Sequence, residues 1–324
     1  MTDTRVAVPA HEHQPDEHEH EHEHEMGPLA ELVTLRDWLR YAVTRFNREE
    51  LFFGHGCADA FDEAVWLLLH TLSLPLDRLE PFLDACITAE ERESLLAVIE
   101  RRITERIPAA YITHEAWLGD FRFYVDERVI VPRSYFAELL ADGFSPWVDD
   151  VGAADDVLDL CTGSGCLAIV MAHVFPNAHV VAADLSDDAL AVARRNVGDY
   201  RLDDRIELVK TDVFDGLAGR RFDLIVCNPP YVTAEAMAQL PPEYLHEPRM
   251  ALAAGDDGLD VVRRVLVEAR AHLHETGVLA VEVGHNRQLV EEAFPDLPMV
   301  WLSTATGADT VFVLRAEELP QTTG

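Results

Sequence analysis

Residues 222–231 read Phe222-Asp223-Leu224-Ile225-Val226-Cys227-Asn228-Pro229-Pro230-Tyr231, an apolar run stopped by an amide, two prolines and an aromatic ring. Such a run suits a strand buried on both faces, and strands of that kind belong to parallel sheets covered by helices. In open α/β sheets ligands bind outside the carboxyl ends of the strands, so Asn228 stands where chemistry is placed. Proline fixes φ, lacks an N–H and biases the residue before it toward extended geometry. The Asn228 side chain and the Pro229 carbonyl then offer two acceptors with no competing donor from the prolines. That set suits a substrate –NH2 group, with Tyr231 covering its flat face. Taken alone, the four residues are also compatible with a proline-rich turn leaving a strand.

On both sides of this stretch strand and helix patterns alternate. Residues 157–160, 180–184, 206–210 and 278–283 read as four further strands, and residues 165–174, 187–196, 258–273 and 286–294 as helices. Residues 299–303 and 310–314, joined through Gly307, read as a terminal hairpin. The alternation predicts an α/β fold, a doubly wound, Rossmann-like mixed sheet of seven strands, parallel except at the end of the chain.

Four parts are expected. Residues 1–27 form a low-complexity tail in which His18, His20, His22 and His24 alternate with glutamates, expected to be disordered. A His/Glu repeat can bind a transition metal loosely, but no specific metal site is expected. Residues 28–110 read as a small helical domain for substrate recognition, with Leu32, Leu35, Leu39 and Val43, then Val65, Leu68, Leu69 and Leu72, at helical spacing. Its surface is charged and shows no catalytic constellation. Residues 111–135 read as a β-hairpin linker, 117–125 pairing with 129–131 across an Asp126-Glu127-Arg128 turn. Pro132-Arg133-Ser134 then leads into a helix holding Glu138; Arg133 and Glu138 read as an exposed pair, on a linker able to touch substrate. Residues 136–324 make the catalytic domain.

Within that domain the first strand runs into Asp159-Leu160-Cys161-Thr162-Gly163-Ser164-Gly165-Cys166, a glycine-rich turn opening a helix. Gly163 and Gly165 permit positive φ and a close backbone approach to a ligand, and the helix start offers unpaired N–H groups. Asp184, at the end of the second strand, is placed to accept both hydroxyls of a ribose. Asp212 can accept the exocyclic amine of an adenine, with Val213 packed on the ring. The turn also satisfies G-x-G-x-x-A, and Asp184 lies 21 residues after Gly163, as in dinucleotide-binding folds; the loop alone leaves both readings open. Asp159, placed to hold the ammonium of a methionine moiety, Asp212 as a further acceptor, and a tetrapeptide without a role in nicotinamide chemistry favour S-adenosylmethionine. Cys161 and Cys166, with no cationic neighbours, read as small apolar packing groups.

Composition narrows the partners. The 324 residues carry 59 acids against 26 bases, a net charge of −33, and Lys210 is the single lysine. Direct nucleic-acid binding needs a basic surface and is not expected, whereas a basic protein substrate would be attracted. No membrane span or secretion signal is read and the five cysteines show no paired spacing, so a cytoplasmic location is expected.

With these residues assembled, the chain resembles the class I methyltransferases that modify the side-chain amide of glutamine, above all the PrmB group acting on large-subunit ribosomal protein L-three. The most specific marks are residues 159–166, Asn228 to Tyr231, and the linker 123–134. Relatives acting on peptide-chain release factors usually carry glycine where Cys161 stands and a different sequence after Arg133. The Tyr135-Phe136 pair departs from the Pro-Ile common in the ribosomal-protein group. The resemblance implies that Cys161, Thr162, Gly163, Ser164 and Gly165 wrap S-adenosylmethionine, that Asp184 binds its ribose, and that Asp212 and Val213 flank its adenine. It implies that Asn228, Pro229, Pro230 and Tyr231 bind the target glutamine, and that helical-domain and hairpin residues dock the protein substrate. Competing expectations are a release-factor methyltransferase, an adenine-N6 nucleic-acid methyltransferase, opposed by the acidic charge, and a non-catalytic ribosome-assembly factor. Tyr244, His246 and Glu247 read either as cleft-closing or as surface loop, and Glu282 and His285 beside the cleft as structural hydrogen-bonding groups, with a base role as the alternative.

Overall fold

The computed structural model describes residues 27–305, 307 and 309–321, so the His/Glu repeat lies outside the described residues. The chain opens with helices α1 (Pro28–Glu31), α2 (Leu35–Arg48), α3 (Ala60–Thr71), α4 (Ala89–Glu105) and α5 (Ala109–Thr113). α2 and α4 begin at reciprocal caps, Thr34 with Asp37 and Thr88 with Glu91. In each, the threonine hydroxyl takes one orphan N–H while the acid takes the cap's own. Their apolar faces close on Trp38, Phe46, Leu67, Leu68 and Ile99.

The linking hairpin is β1 (Glu115–Leu118) with β2 (Phe121–Tyr124), turning at Gly119, whose φ is +57°. The expected pairing of 117–125 with 129–131 does not form. Asp126 accepts the Arg128 N–H and guanidinium and folds the chain locally, while Val129 and Val131 are buried outside any strand. Side chains satisfy that backbone instead of a ladder: Tyr111 Oη donates to the Val129 carbonyl at 2.5 Å and the Val131 N–H donates to Glu247 at 3.0 Å.

Helix α6 (Phe136–Ala141) leads into a seven-stranded sheet with α7 (Cys166–Val174), α8 (Asp187–Asp199), α9 (Ala234–Met237), α10 (Asp260–Glu268) and α11 (Arg287–Ala293). Its strands are β3 (Asp156–Leu160), β4 (His179–Asp184), β5 (Ile206–Lys210), β6 (Phe222–Cys227), β7 (Leu273–Glu282), β8 (Val300–Leu302) and β9 (Val311–Arg315), in the order β5-β4-β3-β6-β7-β9-β8. β9 is antiparallel to both neighbours and the rest are parallel. Successive strand residues point to opposite faces: Val157 joins Met171 and Phe175 of the α7 side, Leu158 joins Val262 and Leu266 of α10. The helix expected over 258–273 is shorter, ending at Glu268 before a 3-10 turn, and β7 starts at Leu273 rather than 278. Backbones crowd there: a side chain on Gly277 would come within 2.8 Å of the Phe222 carbonyl, beside a register shift between Phe222 and Leu224.

From β3 the chain builds outward through β4 and β5, then returns to add β6 and β7 on the other side. The strand order therefore reverses between β3 and β6, and the crevice outside their carboxyl ends, at Cys161 and Asn228, is the topological position for a ligand.

Candidate active site

The turn after β3 is built from left-handed residues, with φ of +65° at Cys161, +56° at Gly163 and +79° at Gly165. Thr162 N–H donates to the Ala183 carbonyl, Gly163 N–H to Asp184 at 2.9 Å, and the Asn196 amide to the Ser164 carbonyl at 2.9 Å. These bonds tie the loop to β4 and α8. A methyl on Gly163 would meet nothing within 4 Å, so that backbone is open to a ligand; one on Gly165 would press on Ala193 at 3.1 Å, where α7 and α8 pack. Asp159 is buried beneath the turn and does not line the cavity. One of its oxygens accepts from the Thr162 hydroxyl (2.5 Å) and the Ala168 N–H (2.9 Å), while Oδ1 is buried without a partner. Burial outweighs those two bonds and pushes its pKa to about 7.

A cavity of about 260 Å³ lies over this turn, walled by Leu160, Cys161, Gly163, Asp184, Leu185, Asp212, Val213, Asn228 and Pro230, among others. The Asp184 oxygens accept the Gly163 and Ser186 N–H groups at 2.9 Å each, leaving lone pairs for further donors. Val213 holds a φ of +51°, rare for a β-branched residue, which marks a constrained wall. Asp212 stands at the cavity but is engaged by Arg264 at 2.6 Å, a contact spacing arguments missed.

A second cavity, about 210 Å³, is lined by Asn228, Pro229, Tyr231, Arg133, Leu240, Tyr244 and His285 with neighbouring residues. Asn228 belongs to both walls, and its side chain makes no hydrogen bond among the described residues. The tetrapeptide is held from behind. Asn286 donates to the Tyr231 carbonyl at 2.5 Å, Gly258 leaves room for that carbonyl, and a methyl on Gly284 (φ +53°) would strike the Tyr231 ring at 2.8 Å. Two glycines at positive φ thus form the slot in which Tyr231 sits. Burial raises the Tyr231 phenol pKa, and the nearby Glu282 charge adds to it.

Residues missed by local reading support this second cavity. Arg133 does not pair with Glu138: it grips Glu247 through two bonds, at 2.5 and 2.6 Å, whereas Glu138 accepts the Ala305 N–H. Burial alone would raise the Glu247 pKa, but Arg133 and then His55, 3.7 Å away, outweigh it and hold the carboxyl at about 2. Four residues earlier, buried Glu243 takes Arg102 (3.2 Å), Arg106 (3.4 Å) and the Phe52 N–H (3.1 Å), and Arg102 also reaches Glu63 at 2.6 Å. His246 bonds the Glu105 carbonyl at 2.8 Å. The segment after the tetrapeptide is therefore bolted to the helical unit and the linker, and Tyr244 between the two glutamates lies under Arg133 at 5.4 Å and against His55 at 4.5 Å. A proline-bounded loop with glutamates four apart was the available signal. Glu282 accepts the Ser134 hydroxyl at 2.6 Å and the Tyr135 N–H at 3.1 Å; burial pushes its pKa to about 7. Cys166 is buried among α7 core residues and Cys161 packs at the edge of the core. Among the described residues no group of three or more His, Cys, Asp or Glu is arranged around a metal position, and no helix is long and apolar enough to cross a membrane.

Comparison with known proteins adds to this geometry. The family model described as "Methyltransferase small domain" matches residues 138–255. The ribosomal protein uL3 glutamine methyltransferase of Neisseria gonorrhoeae is 58% identical over 289 residues, 89% of this chain and 96% of that protein. The protein of the same name from Burkholderia pseudomallei is 57% identical over 298 residues, 90% of this chain and 97% of that one. That of Francisella tularensis is 43% identical over 288 residues, 89% and 92% of the two chains.

Proposed function

The chain belongs to the family of ribosomal protein uL3 glutamine methyltransferases, and from that premise we propose that it moves a methyl group from S-adenosylmethionine to the side-chain amide nitrogen of a glutamine in ribosomal protein uL3. That membership supports S-adenosylmethionine over the dinucleotide reading of the glycine turn. The observation that carries the site assignment is the position of Asn228, shared by two cavities, its side chain free of partners among the described residues.

The residues of the larger cavity fit the cofactor. Gly163 is open, Asp184 retains acceptor capacity, and Leu160, Leu185 and Val213 offer apolar walls, whereas Asp159, expected to hold the ammonium, is buried beneath the turn and does not line the cavity. Cys161 to Gly165, Asp184, Asp212 and Val213 would hold S-adenosylmethionine, which supplies an electrophilic methyl carbon when bound. The smaller cavity takes the glutamine side chain. An amide nitrogen is a poor nucleophile because its lone pair is delocalised into the carbonyl, so the site must fix geometry. The Asn228 side-chain oxygen and the Pro229 carbonyl each accept one N–H, while Tyr231, seated in its slot, covers the flat face. The lone pair is then presented toward the larger cavity. After transfer the alkylated nitrogen is strongly acidic and releases its proton to water. Catalysis is positioning and electrostatics, with no general base needed before attack.

The substrate is a basic protein, consistent with the charge of −33 on the enzyme. Incubation with labelled S-adenosylmethionine and unmethylated uL3, followed by mass spectrometry, should place one methyl on a glutamine side chain. Label confined to other proteins or other side chains would reject the reading.

A further inference from the structure

The transfer carries a positive charge in one direction across the sheet. The larger cavity lies at the ends of β3 and β4, walled by Leu160, Cys161, Ala183 and Asp184, and Asn228 stands at the end of β6. In the strand order β5-β4-β3-β6-β7 the next position outward is β7, which ends at Glu282. A methyl moving from the larger cavity to an amide at Asn228 therefore brings its charge toward Glu282. Register makes the two residues neighbours: Cys227 pairs with Val281, so Asn228 and Glu282 come next, their backbones about 5 Å apart at ordinary strand spacing. Leu224 and Val226 of β6 and Val278 and Ala280 of β7 share one face of the sheet, and alternation puts Asn228 and Glu282 on that same face.

Glu282 is 1% exposed, and both of its hydrogen bonds, from the Ser134 hydroxyl and the Tyr135 N–H, fall on Oε2. Oε1 takes none among the described residues. Before this carboxyl lies a cavity of about 290 Å³, which shares Arg133 and Tyr231 with the cavity that Asn228 lines. The titratable groups around Glu282 are Arg133 and Tyr135 of the linker, Tyr231 and Cys227, while β9 sets only Val311 opposite it. Of these Arg133 carries a charge, and Glu247 holds it, so Glu282 has no ion-pair partner of its own among the described residues. Burying a carboxyl in this way is costly, and a glutamine of the same shape would spare the cost while still accepting both bonds. What the acid adds is a charge that can be made and lost.

We propose that Glu282 is the charge partner and proton acceptor of the transfer: its carboxylate faces the positive charge that arrives on the amide nitrogen, and Oε1 receives, through water, the proton that leaves once the nitrogen is methylated. The assignment rests on the functional reading above and adds the destination of the proton. The nitrogen gains the methyl carbon first. Its N–H bond then breaks with the electron pair kept on nitrogen, which leaves a neutral N-methyl amide and a protonated Glu282 that returns its proton to solvent before the next turnover. A fixed negative charge on the far side of the nucleophile favours the charge where it ends over where it begins, which lowers the barrier.

The test is steady-state methylation of full-length unmethylated uL3 by the parent and by Glu282→Gln across neutral pH, with folding checked by circular dichroism and S-adenosylmethionine affinity by calorimetry. The amide keeps the bonds to the linker, so the variant should fold. Its kcat should fall by about 10²-fold or more, with KM for uL3 and cofactor affinity within about twofold. In the parent kcat should rise with pH through about 7, where burial holds the Glu282 carboxyl, and that rise should be missing from the variant. Infrared difference spectra, parent against variant, read the group without turnover: its carboxyl band should give way to carboxylate by pH 8. A variant kcat within about threefold of the parent, a pH profile unchanged by the substitution, or a carboxyl still protonated at pH 8 overturns the role of Glu282 alone. Absence of transfer by the parent overturns the functional reading, and this role with it.

Discussion

Replacing Glu247 by glutamine removes one charge and almost no volume from the clamp that joins the linker to the segment behind the cavity lined by Asn228 and Tyr231. The side chain is fully buried and accepts two bonds from Arg133 and one from the Val131 N–H. Its pKa falls from 4.5 to about 2 because Arg133 and His55 outweigh the burial penalty, which corresponds to about 3 kcal/mol favouring the folded state at neutral pH. A depressed folded pKa gives stability that is present above the unfolded value and lost as pH falls through the folded one. The contribution should therefore be full at pH 7 and shrink to about 2 kcal/mol at pH 3.5. Urea unfolding of parent and Glu247→Gln at both pH values measures it, provided fluorescence and circular dichroism report one transition. A loss below about 1 kcal/mol at pH 7, or a difference that does not narrow at pH 3.5, would refute the clamp as the source of this stability. Because Tyr244 lies under Arg133, the same variant should raise KM for uL3 more than it changes cofactor affinity.

Asn228→Ala removes one of the two proposed acceptors, so kcat should drop by about 10²-fold or more with cofactor binding little changed; equal loss in turnover assay and calorimetric titration would reject its role. Gly284→Ala puts a methyl 2.8 Å from the Tyr231 ring at a φ of +53°, and should cost about 1–2 kcal/mol in denaturant unfolding and lower kcat by disturbing the slot. Glu282, held near pKa 7 by burial, contributes stability that is full below pH 4.5 and lost as pH rises through 7. Glu282→Gln should thus match the parent at pH 4.5 and exceed it by up to about 3 kcal/mol at pH 8, as read by urea unfolding. Arg102→Met leaves Glu63 and Glu243 buried without their shared cation and should cost about 3–5 kcal/mol, measured as a shift in urea midpoint.

What local sequence could and could not disclose follows from the range of the forces involved. β6 was legible to the residue because a parallel strand buried on both faces writes its burial directly as an apolar run. The turn from Cys161 to Gly165 was legible because a left-handed backbone selects glycine locally. Residues 129–131 carry the same apolar signature as a strand yet pair with nothing, since their polar backbone is met by Tyr111 and Glu247, partners that alternation cannot reveal. The misread ion pair has the same origin: spacing joined Arg133 to Glu138 five residues away, while the fold joins it to Glu247 across 114 residues, and Arg102 to Glu243 across 141. Burial decides between such pairings. An exposed pair is worth less than about 1 kcal/mol, too little to choose a fold, whereas a buried carboxylate must find its cation or be protonated. The helical unit, whose charges read as an ordinary solvated surface, accordingly enters the active site through side chains invisible to periodicity. Arg102 and His55 brace the segment that walls the cavity lined by Asn228, so under the proposed function the helical unit and the catalytic geometry are mechanically coupled.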